Sequence, residues 1–537
     1  MNSDKKTPRG HRVWILIVIL LLATGGILLL QLQPDLERNF KSWLTAAIVA
    51  LAAILSLLWL VLFSRARWRV RLLTVAVVVV GIWLFPKMVK VDGAADGRGL
   101  PHLVWRWSAP VKRIPVLPEA AAVAVVGSRA ATPADMTDVP QFFGPARDGV
   151  VQGANLDPDW KTHAPRQLWR QPCGPAWSAF AVVKGRAFTQ EQQGEDELVT
   201  SYEVLTGRRI WAHTNHVRFF QWQGGEGPRA TPTVNQGQVF AYGATGILDC
   251  LDAETGQKVW SRDVLGENHL SNLTWGVSCS PLVYDDFVVV SGGGNNGPTI
   301  LAYQRKTGGP LWHSGTDKAS YTSPVLATLA GKKVVVSANA ASLTVHDAIT
   351  GKLLLDQPWS TDKWPKASQP VVLDEDRVFL SAGYGVGCVM FKVKAKEDGM
   401  LAATELWKNL RMKAQFNSIS ARAGYLYGLD DGLLACVDIA TGERKWKDGR
   451  YGSGQTLLVD DLMIVQTEPG PVVLAAAKPE AFAELGSIPA LSVKTWNHPT
   501  LAGRYLLVRN SEEMACYELA VTTSRAPEAP VKVAQIP

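Results

Sequence analysis

At 537 residues the chain can hold a large core, and 47% hydrophobic content with 47 Gly and 20 Trp fits a tryptophan-rich β domain with added membrane sequence. The formal charge of +7 is unevenly spread. Residues 1–90 carry twelve Lys/Arg against three Asp/Glu, so the remainder totals −2 and the case for a nucleic-acid partner falls away.

Residues 1–12 hold Lys5, Lys6, Arg9 and Arg12 and read as a cytoplasmic N-terminus. A three-helix membrane anchor is expected over 13–89, from apolar runs at Val13 to Leu32, Trp43 to Phe63 and Val70 to Val89, each near the length that crosses a bilayer. Arg65, Arg67, Arg69 and Arg71 fill the second loop, so the positive-inside rule puts it with the N-terminus in the cytoplasm. Three crossings then deliver the rest to the outer side, which predicts a multi-pass inner-membrane protein with its main domain in the periplasm. No small-x-small site follows the first run and no cysteine offers a lipobox, which argues against a cleaved signal peptide. Residues 90–139, rich in Ala, Gly and Pro, read as a semi-extended linker.

A repeat begins near 140. The stretch CLDAETGQKVW, ending at Trp260, recurs in copies ending at Trp211, Trp312, Leu355 and Trp446, and its tail alone ends at Trp407. The steps are 49, 52, 43, 52 and 39 residues, a period that signals a repeat array. Within one copy, alternation at Leu248, Cys250 and Asp252 makes a strand, Glu254-Thr255-Gly256 makes a turn, and Lys258-Val259-Trp260 starts a return strand. Before each hairpin stands a half-unit with small polar residues, an apolar run, a turn and a second apolar run, as in GPRATPTVNQGQVFAYGATG. Four antiparallel strands per repeat describe a β-propeller blade.

Closing positions at Trp211, Trp260, Trp312, Leu355, Trp407 and Trp446, and a weaker one near Ile488, count seven blades. The last segment, 495–520, offers three strands, while QLWRQP around Trp169 is a fourth strand with no blade before it. Joining them gives an eighth blade and removes an exposed edge. The expected fold is therefore all-β, an eight-bladed propeller over 140–521 behind three transmembrane helices, with seven blades as the alternative if 460–490 is an insertion. A disordered, Pro-rich tail is expected over 522–537.

The T-G-x-x-x-W hairpin with its preceding Asp, from Leu251 to Trp260, resembles the tryptophan-docking repeat of the pyrroloquinoline-quinone propeller superfamily, over about residues 140 to 520. That superfamily includes quinoprotein dehydrogenases and the non-enzymatic propeller lipoprotein of outer-membrane β-barrel assembly. The layout GPARDG, LWRQP, FTQEQ, GPRATPT, GATG and WGVSCSPLV looks like its membrane-anchored, quinone-binding-like bacterial members. The resemblance implies two functions: a scaffold that binds a protein or small ligand, with no cofactor, or a membrane dehydrogenase using pyrroloquinoline quinone with Ca²⁺ to oxidise an alcohol or sugar. The scaffold is preferred.

The six cysteines, 173, 250, 279, 388, 436 and 516, form no CxxC and no adjacent pair, which argues against a zinc site, a thioredoxin motif and the vicinal clamp of soluble quinoprotein alcohol dehydrogenases. Cys250, Cys436 and Cys516 stand at comparable points of the repeat and read as small packed residues. No GxSxG or HExxH occurs, and GGGNNG at 292–297 lacks the Lys and helix of a phosphate loop. No catalytic residue and no metal ligand is assigned. Candidates at the channel mouth are Trp177, Glu191, Arg218, Arg229, Trp275, Tyr321, Trp364, Asn417, Trp496 and His498, with Phe416 and Tyr451 beside them, as aromatics and arginines could hold a flat or anionic ligand. The alternative is that they pack between blades, with Arg229 and Glu191 as a structural ion pair and His498 as a hydrogen-bonded structural residue. Trp169, Trp211, Asp252, Thr255, Gly256, Trp260, Trp312, Trp407, Gly442 and Trp446 are expected to fasten blade to blade.

Overall fold

The computed structural model describes residues 13–34, 36–64, 66–108, 135–295 and 297–522. The chain divides into two compact units, Met1–Val111 and Lys112–Pro537. The N-terminal stretch 1–12, the middle of the spacer at 109–134 and nearly all of the tail lie outside the described residues.

In the first unit, helices α1 (Val13–Leu32), α2 (Arg38–Leu62) and α3 (Trp68–Met88) have mean hydropathy of 2.9, 2.6 and 1.9, and each is long and apolar enough to cross a membrane. Short loops make neighbours antiparallel: Gln31 at the end of α1 donates to Thr45 of α2 (3.3 Å), and Arg71 of α3 donates to Val61 O of α2 (2.9 Å). The start of the spacer is not semi-extended. Val89–Ala94 and Pro101–Trp105 pair as an antiparallel hairpin continuous with α3, because Gly93 and Gly99 supply positive φ around its bulge and tip.

The second unit holds eight four-stranded antiparallel blades, so the seven-blade alternative is set aside. Blades 1 to 7 span 181–215, 233–263, 282–314, 325–358, 371–409, 420–448 and 455–488. Blade 8 takes three strands from 500–518 and its fourth from Arg166–Pro172, with Cys516 opposite Trp169. The ring is thus closed by an N-terminal strand, as the orphan strand around Trp169 predicted. A second N-terminal strand, Val150–Val151, adds in parallel to the inner strand of blade 7. The core lies between blades: Phe240 and Tyr242 of blade 2, for example, pack with Val288 and Val290 of blade 3.

The fasteners couple neighbouring blades. Asp252 Oδ1 accepts from the amides of Glu254 (3.0 Å) and Thr255 (2.8 Å) and from the Thr255 hydroxyl (2.8 Å), fixing the turn that Gly256 closes at φ +73°. The Trp211 ring of blade 1 lies flat on that turn, where a Cβ at Gly256 would sit 2.6 Å from it, and Trp211 Nε1 donates to Ala253 O (3.1 Å). Trp169 on Gly207, Trp260 on Gly308, Trp312 on Gly351 and Trp407 on Gly442 repeat the arrangement. Trp446 docks without such a turn: its Nε1 donates to Lys478 O (2.7 Å) and its ring meets Phe482 at 5.8 Å on the Thr-Gly-free turn of blade 7.

Two closing positions carry no tryptophan. Blade 5 joins its outer strands through 396–400 without a Thr-Gly turn, and the residue closing blade 4 is Leu355, packed with Phe391, Val393 and Leu401. Blade 8 has a chain break at that turn, and the closing position of blade 7 is not Ile488 but Gly486, opposite Leu474 just ahead of the bulge, where a Cβ would lie 2.7 Å from Trp160 of the N-terminal segment. Cys250, Cys436 and Cys516 pair directly opposite Trp260, Trp446 and Trp169, the place that Met390 takes opposite Trp407. Burial raises the three thiols to about 12, about 11 and about 12, so they stay protonated and inert.

Candidate functional site

The inner strands all run from one rim of the ring to the other, so the small polar residues just ahead of each form a level belt around the axis. The Ala179 amide donates to Thr231 Oγ1 (3.0 Å), Thr231 N to Ser280 Oγ (2.9 Å), and Ser280 N to Ser323 Oγ (2.9 Å). Ser323 N then donates to Gln369 Oε1 (3.1 Å), and Gln369 N to Ser418 Oγ (3.3 Å). Thr456 Oγ1 donates to Ser418 O (3.4 Å), His498 Nε2 faces Thr456 O (2.9 Å), and Asn497 Nδ2 donates to Ser178 O (2.8 Å). The belt links all eight blades and satisfies backbone groups that inter-blade packing would otherwise strand.

Through this belt passes a plug, Gln141–Gly149. The chain climbs along blade 1 by the Val139–Val182 bridge, crosses the axis, and descends along blade 7 as Val150–Val151. Its feet are tied to first turns at the same rim: Lys184 N donates to Asp138 (2.8 Å), and Gly153 N to Asp460 (2.7 Å). Arg147 is the pin. Its Nη1 donates to Pro324 O (2.7 Å), its Nη2 to Ser280 O (3.0 Å) and Pro281 O (2.7 Å), and its Nε to Gln141 Oε1 (2.9 Å). Burial lowers its pKa to about 10. Gly149 O accepts from Ser420 Oγ (3.1 Å) on blade 6, while Phe142 and Phe143 pack edge-on to His498 of blade 8 at 5.7 and 5.0 Å. Phe143 and Arg147 are both held left-handed, at φ 64° and 58°, a strain that the surrounding contacts overcome.

The opposite rim carries an aromatic mouth. Residues four positions ahead of the inner strands meet there, joined by Trp275 from seven ahead. Trp496 packs on Trp177 (4.8 Å) and Phe416 (4.9 Å), with Lys494 Nζ 4.5 Å from the Trp496 ring. Gly224 O receives both Trp177 Nε1 and Arg229 Nη2, and Arg229 Nε donates to Trp275 O (2.8 Å) while its guanidinium covers Phe219 (4.6 Å). Trp275 meets Tyr321 edge-on at 5.6 Å. The result is a continuous arc over blades 6, 8, 1, 2, 3 and 4. Burial lowers Arg229 to about 9, partly offset by Glu197, and burial raises Glu197 to about 7 against the Ala244 N–H and Arg229.

Of the candidates, the arc unites Trp177, Arg229, Trp275, Tyr321, Phe416 and Trp496. The others lie elsewhere. Glu191 sits between blades 8 and 1, accepting from Gly174 N (2.8 Å), Tyr202 Oη (3.0 Å) and Gln193 (3.1 Å); the carboxylate that acts on Arg229 is Glu197. Arg218 is paired with Glu226 (2.8 Å) on an exposed hairpin, Phe220–Gln221 with Gly225–Glu226. Trp364 stacks on Tyr384 (5.5 Å) in blade 5, and Tyr451 donates to Glu484 (2.7 Å) beside blade 7. Asn417 is buried against Gly428, behind the belt, with no hydrogen-bond partner for Nδ2. His498 belongs to the belt, both ring nitrogens facing carbonyls, and burial lowers it to about 4. Sequence reasoning missed Arg147 and its plug; the only signal was an arginine inside the Gly-Pro turn sequence GPARDG.

A quinone paired with a divalent cation needs converging oxygen ligands beside a flat slot. Among the described residues no three His, Cys, Asp or Glu side chains converge to hold a metal ion. Glu468, which borders the mouth, accepts from Trp496 Nε1 (2.8 Å) and Ser453 N (2.9 Å).

The family described as outer membrane protein assembly factor BamB matches residues 195–448. No curated protein sequence matches the chain. Among solved structures, quinohemoprotein alcohol dehydrogenase from Comamonas testosteroni is similar, at TM-score 0.51 and 13% identity over 76% of this chain and 85% of that one. Quinohemoprotein alcohol dehydrogenase ADHIIG from Pseudomonas putida HK5 is similar at TM-score 0.50 and 14% identity, covering 69% and 78%. BamB from Moraxella catarrhalis is similar at TM-score 0.49 and 14% identity, covering 67% and 100%. These likenesses are of fold. The chain carries an eight-bladed β-propeller of the pyrroloquinoline-quinone-like repeat kind, preceded by three helices long and apolar enough to cross a membrane.

Proposed function

We propose that this protein is a membrane-anchored scaffold whose propeller binds a protein or ligand through its aromatic mouth. The observation that carries the reading is the plug: the axis is filled by the chain's own residues 141–149, which leaves the rim as the surface for a partner. Next to the arc, Phe220 and Trp222 stand 55% and 42% exposed on their hairpin, residue types enriched at binding hot spots. The arginine-rich second loop supports a cytoplasmic N-terminus, an inner-membrane anchor and a periplasmic propeller. The match to a family described as an assembly factor supports a protein partner over a substrate.

A photo-cross-linking residue at Trp222 tests this in cells. It should capture one defined membrane or periplasmic protein, while the same residue at Ile349, exposed on a turn of the other rim, should not. Equal capture from both positions, or none from Trp222, refutes the mouth as the binding surface. A dehydrogenase is the second reading, favoured by one observation: the Trp177 and Trp496 rings, with Lys494 5.6 and 4.5 Å from them, make a cationic aromatic corner suited to a flat anion.

A further inference from the structure

The hairpin that follows α3 carries a surface that the propeller reading does not use. Its register pairs Val89 with Trp105 and Val91 with Leu103, so these four side chains share one face of the two-stranded sheet, and Lys90, Val104 and His102 occupy the other. Val91, Leu103 and Trp105 are 51%, 48% and 50% exposed, and Trp107, stacked on Trp105 at 5.2 Å, is 65% exposed. Among the described residues this small sheet thus presents a half-exposed apolar face with two tryptophans.

Its position identifies the occupant. The end of α1, the start of α2 and the end of α3 lie at one level, since neighbouring helices are antiparallel. The hairpin leaves directly from Met88, and its tip returns to the start of α2, where a Cβ at Gly99 would lie 3.5 Å from the Trp43 ring. Arg106 is tied back to the last turn of α3 through Pro86 O (2.8 Å), and Lys87 lies 3.2 Å from the Trp83 ring. The hairpin therefore spans the helix ends, at the depth where tryptophan and basic side chains favour the boundary between lipid and water.

We propose that the 89–107 hairpin is an interfacial anchor, its Val89, Val91, Leu103, Trp105 and Trp107 side seated in the headgroup and upper acyl region of the leaflet that α3 reaches. This rests on the membrane-anchor reading of α1–α3. The hairpin would fix the level at which the chain leaves the bilayer, as amphipathic elements with aromatic faces do on membrane surfaces.

The test uses the full chain in phospholipid vesicles, carrying one environment-sensitive fluorophore on Leu103→Cys, Val91→Cys, His102→Cys or Leu55→Cys, the last within α2. The six native thiols are buried and stay unlabelled in the folded protein. Labels at 91 and 103 should be quenched by lipids brominated near the headgroup and be about threefold less open to aqueous iodide than the label at 102. Equal iodide access at 102 and 103, with the Leu55 label quenched by lipid, overturns the interfacial anchor and leaves the membrane reading intact. Shielding of 103 from both quenchers also overturns it, in favour of a protein covering the face. A Leu55 label untouched by lipid overturns the inference together with the membrane reading.

Discussion

Replacing Arg147 by Met tests the plug. The substitution keeps the side chain's length and removes the guanidinium, so Pro324 O loses its donor, while Pro281 O keeps Thr233 Oγ1 (2.6 Å) and Ser280 O keeps Cys279 Sγ (3.6 Å). Leaving Pro324 O without a partner costs about 1–3 kcal/mol, and the bonds lost at Ser280 O and Pro281 O cost about 1 kcal/mol each, a gross loss of about 3–5 kcal/mol. Relief of the burial that lowers Arg147 from 12.5 to about 10 returns about 3 kcal/mol of this. The net expectation is a loss of about 1 kcal/mol, concentrated in residues 139–151 because the blades keep their own ladders. Hydrogen exchange on the full chain in detergent reads this directly: the amides of Val139, Gly149 and Val150 should exchange about fivefold faster, with strand amides of blades 3 and 4 little changed. Arg147→Lys, which keeps the charge and loses the fork, should fall between the two. If Arg147→Met leaves plug exchange and stability unchanged, the plug is held by its ends alone and the pinning argument fails.

Gly256→Ala meets both positive φ and the Trp211 ring, and should cost about 2–4 kcal/mol in denaturant titration; pairing it with Trp211→Leu should recover about 1 kcal/mol, and strict additivity would refute the docking rule. Glu197 is raised from 4.5 to about 7, so the unfolded chain releases its proton first and stability should fall as pH rises from 4.5 to 7. Glu197→Gln should flatten that fall by about 3 kcal/mol, read from midpoints at several pH values, and an unchanged slope would refute it. His498 is lowered from 6.5 to about 4, so its contribution has the opposite sign: stability present above pH 6.5 is lost as pH falls toward 4, and His498→Gln should remove that loss. Thiol titration should find no reactive cysteine in the native protein and six after unfolding, since all six are buried; a reactive native thiol would contradict the packing account.

Much of the propeller was legible because its fasteners are local. Trp211, Trp260 and Trp312 each sit a few residues past their own turn, so spacing alone counted blades, and the lone strand around Trp169 revealed how the ring closes. The weaker seventh unit has Gly486 at its closing position with Trp160 of the N-terminal segment against it, an exchange that spacing does not reveal. The mouth was legible in part: residues just ahead of inner strands converge, as Trp177, Trp275 and Trp496 do, while Arg218 and Glu191 lie on other stretches and turn away. Arg147 could not be read, since its partners Ser280 and Pro324 stand 133 and 177 residues along the chain. The interfacial hairpin was hidden by a Gly- and Pro-rich composition that masks the alternation of Val89 with Val91 and of Leu103 with Trp105.

Titration of the purified full chain with pyrroloquinoline quinone and Ca²⁺, followed by dye reduction with alcohols and sugars, tests the central claim that the propeller is a plugged binding scaffold. The account predicts no saturable quinone binding at micromolar concentration and no turnover. Stoichiometric binding with substrate-dependent dye reduction would contradict it.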